Sequence, residues 1–267
     1  MTSLCRRYRV TTGEFSAWLG RAESDHAKQG RLLTKEIVRL FTLHHARYGS
    51  PRLHRALQTL GWAVSRRRVA QRMRRAGLRA KAVHGYRANA NIHQLYARHP
   101  NRRWTTQVAG PSQVWVGDIT FLKVGTSWRY LAIVMDQHTR RLLAWSLTRR
   151  RTARVTSAVL LAAATTRSAR GAIVHSDRGS EYMGAPFCAT VQRLGMLESA
   201  NVSGPGDNAH AESFFHSRKA ERTRGVIVPS ERVLRTALTS DMRYDNTIRL
   251  HSGLAYLSPL AFERRAA

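Results

Sequence analysis

The sequence has few cysteines, few acidic residues and no long apolar run, and each shortage excludes a class of protein. Its two cysteines, Cys5 and Cys188, cannot form a disulfide framework and lack the CxxC spacing of a zinc site. The longest apolar runs, Tyr130–Met135 and Ala158–Ala164, are far shorter than the roughly 20 residues that span a bilayer. No apolar segment follows the N-terminal arginines, so we expect no secretory signal. We therefore expect a cytoplasmic protein with no membrane partner.

Acidic residues are scarce relative to basic ones. The 267 residues include 45 Lys and Arg against 16 Asp and Glu, a formal net charge of +29 at pH 7. Because 43% of the residues are hydrophobic, the chain can fold, and a folded chain with this charge is typical of nucleic-acid-binding proteins. Only five of the basic residues are lysine, so a GC-rich genome is an alternative cause of the arginine excess. The excess attracts phosphate groups whatever its origin.

The charge and the composition change along the chain. Residues 1–110 hold 23 basic and 4 acidic residues, whereas residues 111–267 hold 22 and 12. Between them, His, Asn, Arg, Gly and Pro are frequent and no hydrophobic period persists. We predict a helical DNA-binding module over residues 1–81, a basic linker over 82–110 and a catalytic domain with a C-terminal helical tail over 111–267.

Two short helices joined by a turn at Gly61–Val64 form a helix-turn-helix pattern in the first module. Ser50-Pro51 predicts an N-cap followed by proline at the first helical position, and an apolar stripe follows at Leu53, Leu57 and Leu60. Ser65 is the predicted cap of the second helix, which displays six arginines for a DNA groove: Arg66, Arg67, Arg68, Arg72, Arg74 and Arg75. The alternative is a small helical bundle with a solvated basic face.

The second part of the chain changes to the period of strands. Three β-rich segments come first, at Gln113–Val124, Trp128–Asp136 and Arg141–Leu147. Helical and strand patterns then alternate: Thr152–Ser168, Ala172–His175, Pro186–Leu194, Met196–Ser199 and a long helix at Asp207–Arg224. This order predicts an α/β layer fold, with the tryptophans of the strands in its core: Trp115, Trp128 and Trp145.

Three carboxylates lie in unusual surroundings. Asp118 is inside an apolar strand, where a lone charge is expensive. Asp177 follows a buried strand, at the end where α/β sheets place their sites. Glu212 lies early in a helix, next to an aromatic pair. Each also has a simpler explanation: an exposed strand face for Asp118, a helix cap for Asp177 and a surface ion pair for Glu212.

Three carboxylates brought together repel one another, by about 4 kcal/mol per pair at 4 Å and an effective dielectric constant near 20. Such a cluster must be protonated, paired with arginine or bound to a divalent cation, and oxygen-only ligands favour Mg²⁺ or Mn²⁺. Two such ions about 3.5–4 Å apart can activate an attacking oxygen and stabilise a leaving one. Together with the basic charge, this chemistry indicates cleavage or transfer of a phosphodiester.

These segments resemble insertion-sequence transposases whose core is related to retroviral integrases, in particular the second open-reading-frame (OrfB-type) product of the insertion-sequence-three family. The resemblance runs from Cys5 to Phe262 and is carried by the surroundings of the three carboxylates and by four further segments: Tyr48–His54, Val64–Val69, Val134–Arg141 and Tyr244–His251. It implies a ribonuclease H-like mixed sheet, with three antiparallel strands followed by parallel strands. It also implies a bacterial enzyme, associated with the nucleoid, that cleaves element ends and transfers them to target DNA.

By position, the resemblance makes Asp118, Asp177 and Glu212 the catalytic acids and the ligands of two Mg²⁺ ions, with Mn²⁺ as a substitute. The expected partners are element ends and target DNA, further copies of the chain, and a first-frame product or a frameshift fusion with it. Two departures stand out. Gly117 replaces the usual threonine and should loosen its strand. The acids Asp177 and Glu212 are separated by 34 residues rather than roughly 35, and a deletion in the loop Asn201–Gly206 costs little.

Residues near the acids are given lesser roles. Lys219 is predicted to contact DNA, and so, less strongly, are Ser203 and Arg218; Asn208 and His210 are possible auxiliary residues, with helix capping as the alternative for Asn208. For Arg249 and His251 in the tail, surface packing is preferred over phosphate contact. For the protein as a whole, the alternative to a transposase is an inactive DNA-binding regulator or partner subunit derived from one. A general nuclease is a third possibility.

Overall fold

Two units divide the chain, residues 1–80 and 81–267. The computed structural model describes residues 2–81, 100–201, 208–219, 221 and 228–266. The described residues of the first unit form helices and the connections between them, whereas the second unit holds the sheet. None of the described helices is both long enough and apolar enough to cross a membrane.

Five helices make up the described part of the first unit: α1 (Thr2–Tyr8), α2 (Thr12–Leu19), α3 (Asp25–Leu43), α4 (Ser50–Thr59) and α5 (Arg66–Arg75). The core lies where α3, α4 and α5 meet, because each contributes buried apolar side chains at helical spacing: Leu33, Ile37, Leu40, Leu53, Leu57, Val69 and Met73.

The helix-turn-helix prediction is confirmed in its second helix and needs two corrections in its first. Ser65 caps α5 by accepting a hydrogen bond from the Arg68 N–H. Gly61 ends the preceding turn with a φ of 84°, a conformation that glycine adopts without strain. However, the N-cap of α4 is Gly49, and Ser50 is the first helical residue. Leu60 lies after the last turn of α4, so its side chain leaves the apolar stripe and is 52% exposed.

The second unit is an α/β fold, as predicted. Its elements are α6 (Arg102–Thr105), β1 (Val114–Val124), β2 (Ser127–Asp136), β3 (Leu142–Thr148), α7 (Ala153–Thr166), β4 (Ile173–Ser176), α8 (Ser180–Met183), α9 (Ala185–Arg193), β5 (Leu197–Ala200), α10 (Ala209–Arg218), α11 (Glu231–Thr247), a short 3-10 helix (Ser252–Leu254) and α12 (Pro259–Ala266). The sheet order is β3-β2-β1-β4-β5. The first three strands are antiparallel, whereas β4 and β5 run parallel to β1.

Helices cover both faces of the sheet. Since side chains alternate along a strand, β1 sends Val114 and Val116 to one face and Trp115 to the other. Val114 and Val116 pack in one core with residues of α10 and α11, whereas Trp115 packs in a second core with α7 and α9. The result is three layers, with the central strands β1 and β4 shielded on both sides.

Two sequence predictions in this unit need correction. Trp128 is 49% exposed rather than in the core, because the first residues of β2 extend past the covering helices and only the last six are buried. Of the long helix predicted at Asp207–Arg224, Ala209–Arg218 is a regular α-helix with Asn208 at its N-cap. The parts of that prediction at 207, 220 and 222–224 lie outside the described residues.

A buried ion network joins the end of α10 to α11 and the chain after it. Arg249 forms two hydrogen bonds with the Glu221 carboxylate, Nη1–Oε2 at 2.8 Å and Nη2–Oε1 at 2.7 Å. Arg218 pairs with Asp245, which also lies 3.5 Å from Arg249 Nε and 3.8 Å from His251 Nε2. Although burial opposes it, the Glu221 and Asp245 carboxylates raise the pKa of Arg249.

These contacts correct three of the lesser predictions. Arg218 is 3% exposed and Arg249 is 4% exposed, so neither guanidinium is available to a DNA phosphate, and Arg249 is not a surface residue. His251 is half-buried beside Asp245. The three residues connect elements of the fold instead.

We expect Arg249→Met to lower the free energy of unfolding by about 3–5 kcal/mol, because it leaves a buried carboxylate without its partner. The double variant Arg249→Met/Glu221→Met should recover most of that loss, since it removes both charges. Urea unfolding of the full chain measures both values. The matched control is Arg243→Met on the exposed face of α11, which should change stability by less than about 0.5 kcal/mol. Equal losses in the single and double variants would contradict the pairing.

Candidate active site

Parallel pairing of β1 with β4 places two of the three carboxylates side by side. Val116 on β1 is paired with His175 on β4, and Asp118 and Asp177 each follow two residues later in the same direction. Asp118 also has the strand parity of Val116, so its side chain lies on the sheet face that α10 covers. Glu212 is in the first turn of α10 and is exposed. The three acids therefore come from three different elements around one end of β4.

The charges of Asp177 and Glu212 affect the pKa of Asp118. The pKa of Asp118 is raised from 3.8 to about 7, first by burial and then by the negative charges of Asp177 and Glu212. A hydrogen bond of 2.7 Å from the Ile119 N–H and the positive charge of Lys219 oppose the shift. Asp118 is thus half-buried and close to like charges, and both effects favour its neutral form.

Asp177 is held by its own turn. Its Oδ1 accepts a hydrogen bond of 3.0 Å from the Gly179 N–H. Burial raises the pKa of Asp177, and the negative charge of Glu181 raises it further, whereas the Gly179 N–H and Arg151 oppose the change. Glu181 is buried and lies 3.4 Å from Arg151. Glu181 and Arg151 could not be identified as neighbours of Asp177 from the sequence. Several polar residues surround Asp177 in the sequence, and no periodic pattern distinguishes one of them from another.

Asn208 ties the helix of Glu212 to the strand of Asp118. Its Nδ2 donates a hydrogen bond of 3.2 Å to the Gly117 carbonyl, and the side chain is 4% exposed. It occupies the N-cap position of α10 but makes no side-chain capping bond. The capping alternative is therefore not what the structure contains, and the amide instead fixes the start of α10 against β1.

Gly117 does not loosen β1. It is buried and paired with Val134 of β2, and the ring of Tyr182 fills the space beside it. A Cβ at Gly117 would lie 3.2 Å from Tyr182 Cε1, closer than ordinary packing. Burial raises the pKa of Tyr182 well above its usual value, and the charges of Asp118 and Asp177 add to the effect. In this chain, glycine allows a buried tyrosine to lie directly behind the carboxylates.

A lysine whose charge acts on Asp118 also contacts one of two exposed aromatic rings. Lys219 Nζ lies 4.5 Å from the ring centre of Phe121; burial lowers the pKa of Lys219, and the charge of Asp118 opposes this. Phe121 contacts Trp128 edge to face at 5.3 Å, and Lys123 lies over Trp128. Lys219 is among the residues predicted from the sequence, whereas Phe121 is not, because one more aromatic residue in a β-rich segment gives no distinct signal.

The donor set suits a hard divalent cation by its chemistry. All three acids offer only oxygen, and a cation would relieve the repulsion that raises the pKa of Asp118. Over the described part of the chain, however, no three His, Cys, Asp or Glu side chains converge closely enough to hold a metal ion. Asp118, Asp177 and Glu212 are therefore electrostatically coupled without forming a closed metal site.

The predicted DNA-contacting arginines of α5 are not equivalent. Arg66, Arg67, Arg74 and Arg75 are exposed, whereas Arg68 and Arg72 are half-buried. The Arg72 guanidinium lies against Gly30 of α3, so closely that a Cβ there would be 2.2 Å from Nη2. Arg72 thus takes part in packing within this unit. Ser203, another predicted contact, lies outside the described residues.

We expect Asp118→Asn to stabilise the fold at pH 8 but not at pH 4. The folded-state pKa of about 7 lies above the ordinary value of 3.8, so the penalty for ionising Asp118 is absent below pH 4 and grows as the pH rises through 7. A shift of this size corresponds to ~4 kcal/mol, which partial exposure to solvent reduces to about 2–3 kcal/mol. Urea unfolding in EDTA between pH 4 and 8 measures the difference. Asp25→Asn, a change at an exposed acid, is the control, and an equal gap at both pH values would contradict the shift.

Comparison with known proteins identifies the family. The integrase core domain family matches residues 108–204, and the HTH-like domain family matches residues 28–86. The chain is 33% identical to "Transposase InsF for insertion sequence IS3A" of Escherichia coli (strain K12), covering 98% of this chain and 93% of that one. It is 30% identical to "Transposase for insertion sequence element IS904" of Lactococcus lactis, covering 91% and 98%. The HTLV-2 integrase catalytic core, solved in complex with magnesium, aligns with 58% of this chain and 99% of its own at 14% identity and a TM-score of 0.44. By its identity to these relatives along nearly its whole length, the chain belongs to the IS3 family of transposases, DDE-type enzymes with an integrase core.

Proposed function

We propose that Asp118, Asp177 and Glu212 are the acids with which this transposase cleaves the ends of its element and joins them to target DNA. The observation that supports this assignment best is the pKa of Asp118, raised to about 7 by burial and by the charges of the other two acids. A carboxylate that burial and two neighbouring acids make costly to ionise lowers stability, and such a cost is typical of functional sites. The integrase core match contains Asp118 and Asp177 and ends before Glu212.

The reaction has two transfers of the same kind. In the first, a water oxygen attacks the phosphorus at the element end, and the bond from phosphorus to the 3′ oxygen breaks, which leaves a 3′ hydroxyl. In the second, that 3′ oxygen attacks a phosphorus of the target, and another 3′ oxygen leaves. In the joining step one phosphodiester forms for each one broken, so this step needs no energy-rich cofactor and no covalent link to the protein.

The acids would hold magnesium, or manganese in its place, and the bound metal would polarise the phosphate and the attacking oxygen. Because burial and the neighbouring acids raise the pKa of Asp118, its carboxyl group would have to give up its proton to serve as a ligand. Asn208 keeps the start of α10 against β1, which limits how far Glu212 can lie from Asp118. Lys219, close to Asp118, is placed to contact a DNA phosphate beside the reacting bond.

The first unit would bind the element ends through α5. Its exposed arginines face solvent at helical spacing, and we assign Arg66, Arg67 and Arg75 to direct contact with DNA. Arg68 and Arg72 would act partly through packing, since both are half-buried. The linker at 82–110 would add charge between this module and the catalytic domain.

Joining two ends requires that both be held together, so we propose that the chain acts as a homo-oligomer on DNA in the bacterial nucleoid. A first-frame product, or a fusion with it, is a further candidate partner. The alternative function is an inactive DNA-binding derivative.

We expect Asp177→Asn to lower strand transfer of labelled element ends in Mg²⁺ by at least about a hundredfold, since even a ~1 Å misplacement of reacting groups costs that much. The control, Asp25→Asn, should join ends as the unchanged protein does. Equal joining by Asp177→Asn would contradict the catalytic assignment. DNA binding without nicking by the unchanged protein would favour the inactive alternative, and cleavage away from defined ends would indicate a general nuclease.

We also expect Arg66→Gln/Arg67→Gln to weaken binding of end DNA and to reduce its salt dependence. Each lost phosphate contact lowers the slope of log K against log salt by about 0.9, so the double variant should lower it by roughly 1–2. Fluorescence anisotropy between 50 and 200 mM salt measures the slope. Arg21→Gln, in the exposed turn before α3, is the control. An unchanged slope in the double variant would show that α5 does not contact the backbone.

A further inference from the structure

A basic pocket of about 380 Å³ opens on the second unit. Two arginines and two histidines line it, Arg103, Arg140, His138 and His210, together with neutral side chains such as Gln107. None of the described residues that line it is acidic, and none of the three candidate catalytic acids belongs to it. Only His210, two residues before Glu212 on α10, is shared with the residues considered for the catalytic site, so the catalytic assignment does not account for the two arginines.

One wall of the pocket is a turn that Asp136 holds rigid. The Asp136 side chain is fully buried, and its Oδ1 accepts hydrogen bonds of 2.9 Å from the His138 and Thr139 N–H groups. Its Oδ2 accepts from the Ser112 N–H at 2.6 Å and from Arg167 at 2.9 Å. The carboxylate is therefore occupied, and the backbone that presents His138 and the residue after Thr139 is fixed before any ligand arrives.

Arg140 is in a strained conformation within this turn. Its φ is 60°, in the left-handed region that costs a residue with a Cβ roughly 1–2 kcal/mol. Its guanidinium extends toward Gly253, where Nη2 lies 4.0 Å from the position that a Cβ would occupy. Strain of this kind persists where the surroundings fix the backbone, and it often marks a functional site.

Arg140 and Arg103 repel each other across the pocket. Burial lowers the pKa of Arg140, and the positive charge of Arg103 lowers it further, with Asp136 opposing. Among the described residues, no carboxylate forms an ion pair with either guanidinium, because Asp136 and Glu263 nearby are paired with Arg167 and Arg141. Two partly buried guanidinium groups beside an open pocket are an arrangement that a bound anion would stabilise.

We propose that this pocket binds a phosphoryl group and that its source is a backbone phosphate of DNA. Guanidinium forks match the oxygen geometry of phosphate, and the imidazoles of His138 and His210 add donors at the rim. The choice of DNA as the source rests on the proposed function. The Gln137 N–H donates a hydrogen bond to the carbonyl of Val114. Val114 lies four residues before Asp118 on β1, so the two are about 13 Å apart along the strand, which is the length of about four base pairs. The pocket would hold the duplex to one side of the reacting bond.

The first experiment uses inorganic phosphate and the full chain in EDTA, so it needs neither metal nor strand transfer. Phosphate should raise the Tm over chloride at matched ionic strength by about 2–4 °C. Arg103→Gln/Arg140→Asn should lose this rise, because both guanidiniums are gone. Asparagine tolerates the left-handed conformation, so the variant should remain as stable as the unchanged protein in chloride. The matched control, Arg170→Gln/Arg193→Gln, removes two exposed arginines and should keep the rise.

The second experiment measures binding of duplex DNA by the same proteins between 50 and 200 mM salt, again in EDTA. Arg103→Gln/Arg140→Asn should lower the slope of log K against log salt by about 1–2 more than the control does. Loss of the phosphate effect with an unchanged duplex slope would keep the phosphoryl site but overturn DNA as its source. If the variant changes neither the phosphate rise in Tm nor the duplex slope, the proposal is overturned.

A purely structural role for Arg140 gives a different result. It predicts that Arg140→Asn lowers the Tm in chloride and leaves the phosphate rise intact, and this outcome would overturn the proposal. If the double variant does not fold, Arg103→Gln alone is tested, and it should reduce the phosphate rise by at least half. Because both experiments are run without metal, their failure is distinct from a failure of the Asp177→Asn strand-transfer test.

Discussion

The parallel pairing of β1 with β4 is the constraint on which the candidate site depends. It sets Asp118 and Asp177 level with each other, two residues beyond the Val116–His175 pair, and no loop has to bring them together. The third acid has no such support from the sheet. Glu212 relies on α10, whose start is tied to β1 by the Asn208–Gly117 hydrogen bond. The candidate site thus consists of two acids positioned by backbone pairing and one carried by a helix that packs on the sheet and is tied to β1 by the Asn208 side chain.

Basic and acidic residues are distributed differently in the two units. The positive excess faces outward on the helices of the first unit, whereas several acids of the second unit are buried. Most of these are satisfied: Asp136 by Arg167 and backbone N–H groups, Glu221 by Arg249, Asp245 by Arg218. Asp118 differs because its surroundings favour the neutral form. Among the described residues, no arginine forms an ion pair with the half-buried Asp118, although the chain contains many arginines.

The sequence predicted the order and type of the main elements well, because the signals were local. Alternating residues gave β1 and β2, and Ser65 and Gly61 gave the limits of the helix-turn-helix turn. What it missed depends on tertiary contacts. Trp128 looked like a core residue, but the hairpin end extends past the covering helices. Gly117 looked like a weak point, but the Tyr182 ring from sixty-odd residues later fills the space. Arg249 looked like a surface residue, since nothing local to it reveals a carboxylate from the end of α10. The proposed roles of the three acids rest on the family resemblance and on the charge effects at Asp118. The spacing of these residues along the sequence indicated only part of either.

Arginines illustrate why composition alone is a weak guide to function here. Arg218 and Arg249 are buried against carboxylates, and they hold α10, α11 and the following chain together. Arg66 and Arg67 are exposed on one helix and suit a long polyanion. Arg103 and Arg140 belong to neither class, since they are partly shielded from solvent, close enough to repel and beside an open pocket. The physical difference among these groups is the location of the compensating negative charge: inside the fold, along a DNA helix, or at one defined point. For Arg140, the rigid turn built on Asp136 determines that location before the anion binds, so the energy of ordering the site is supplied by folding rather than by binding.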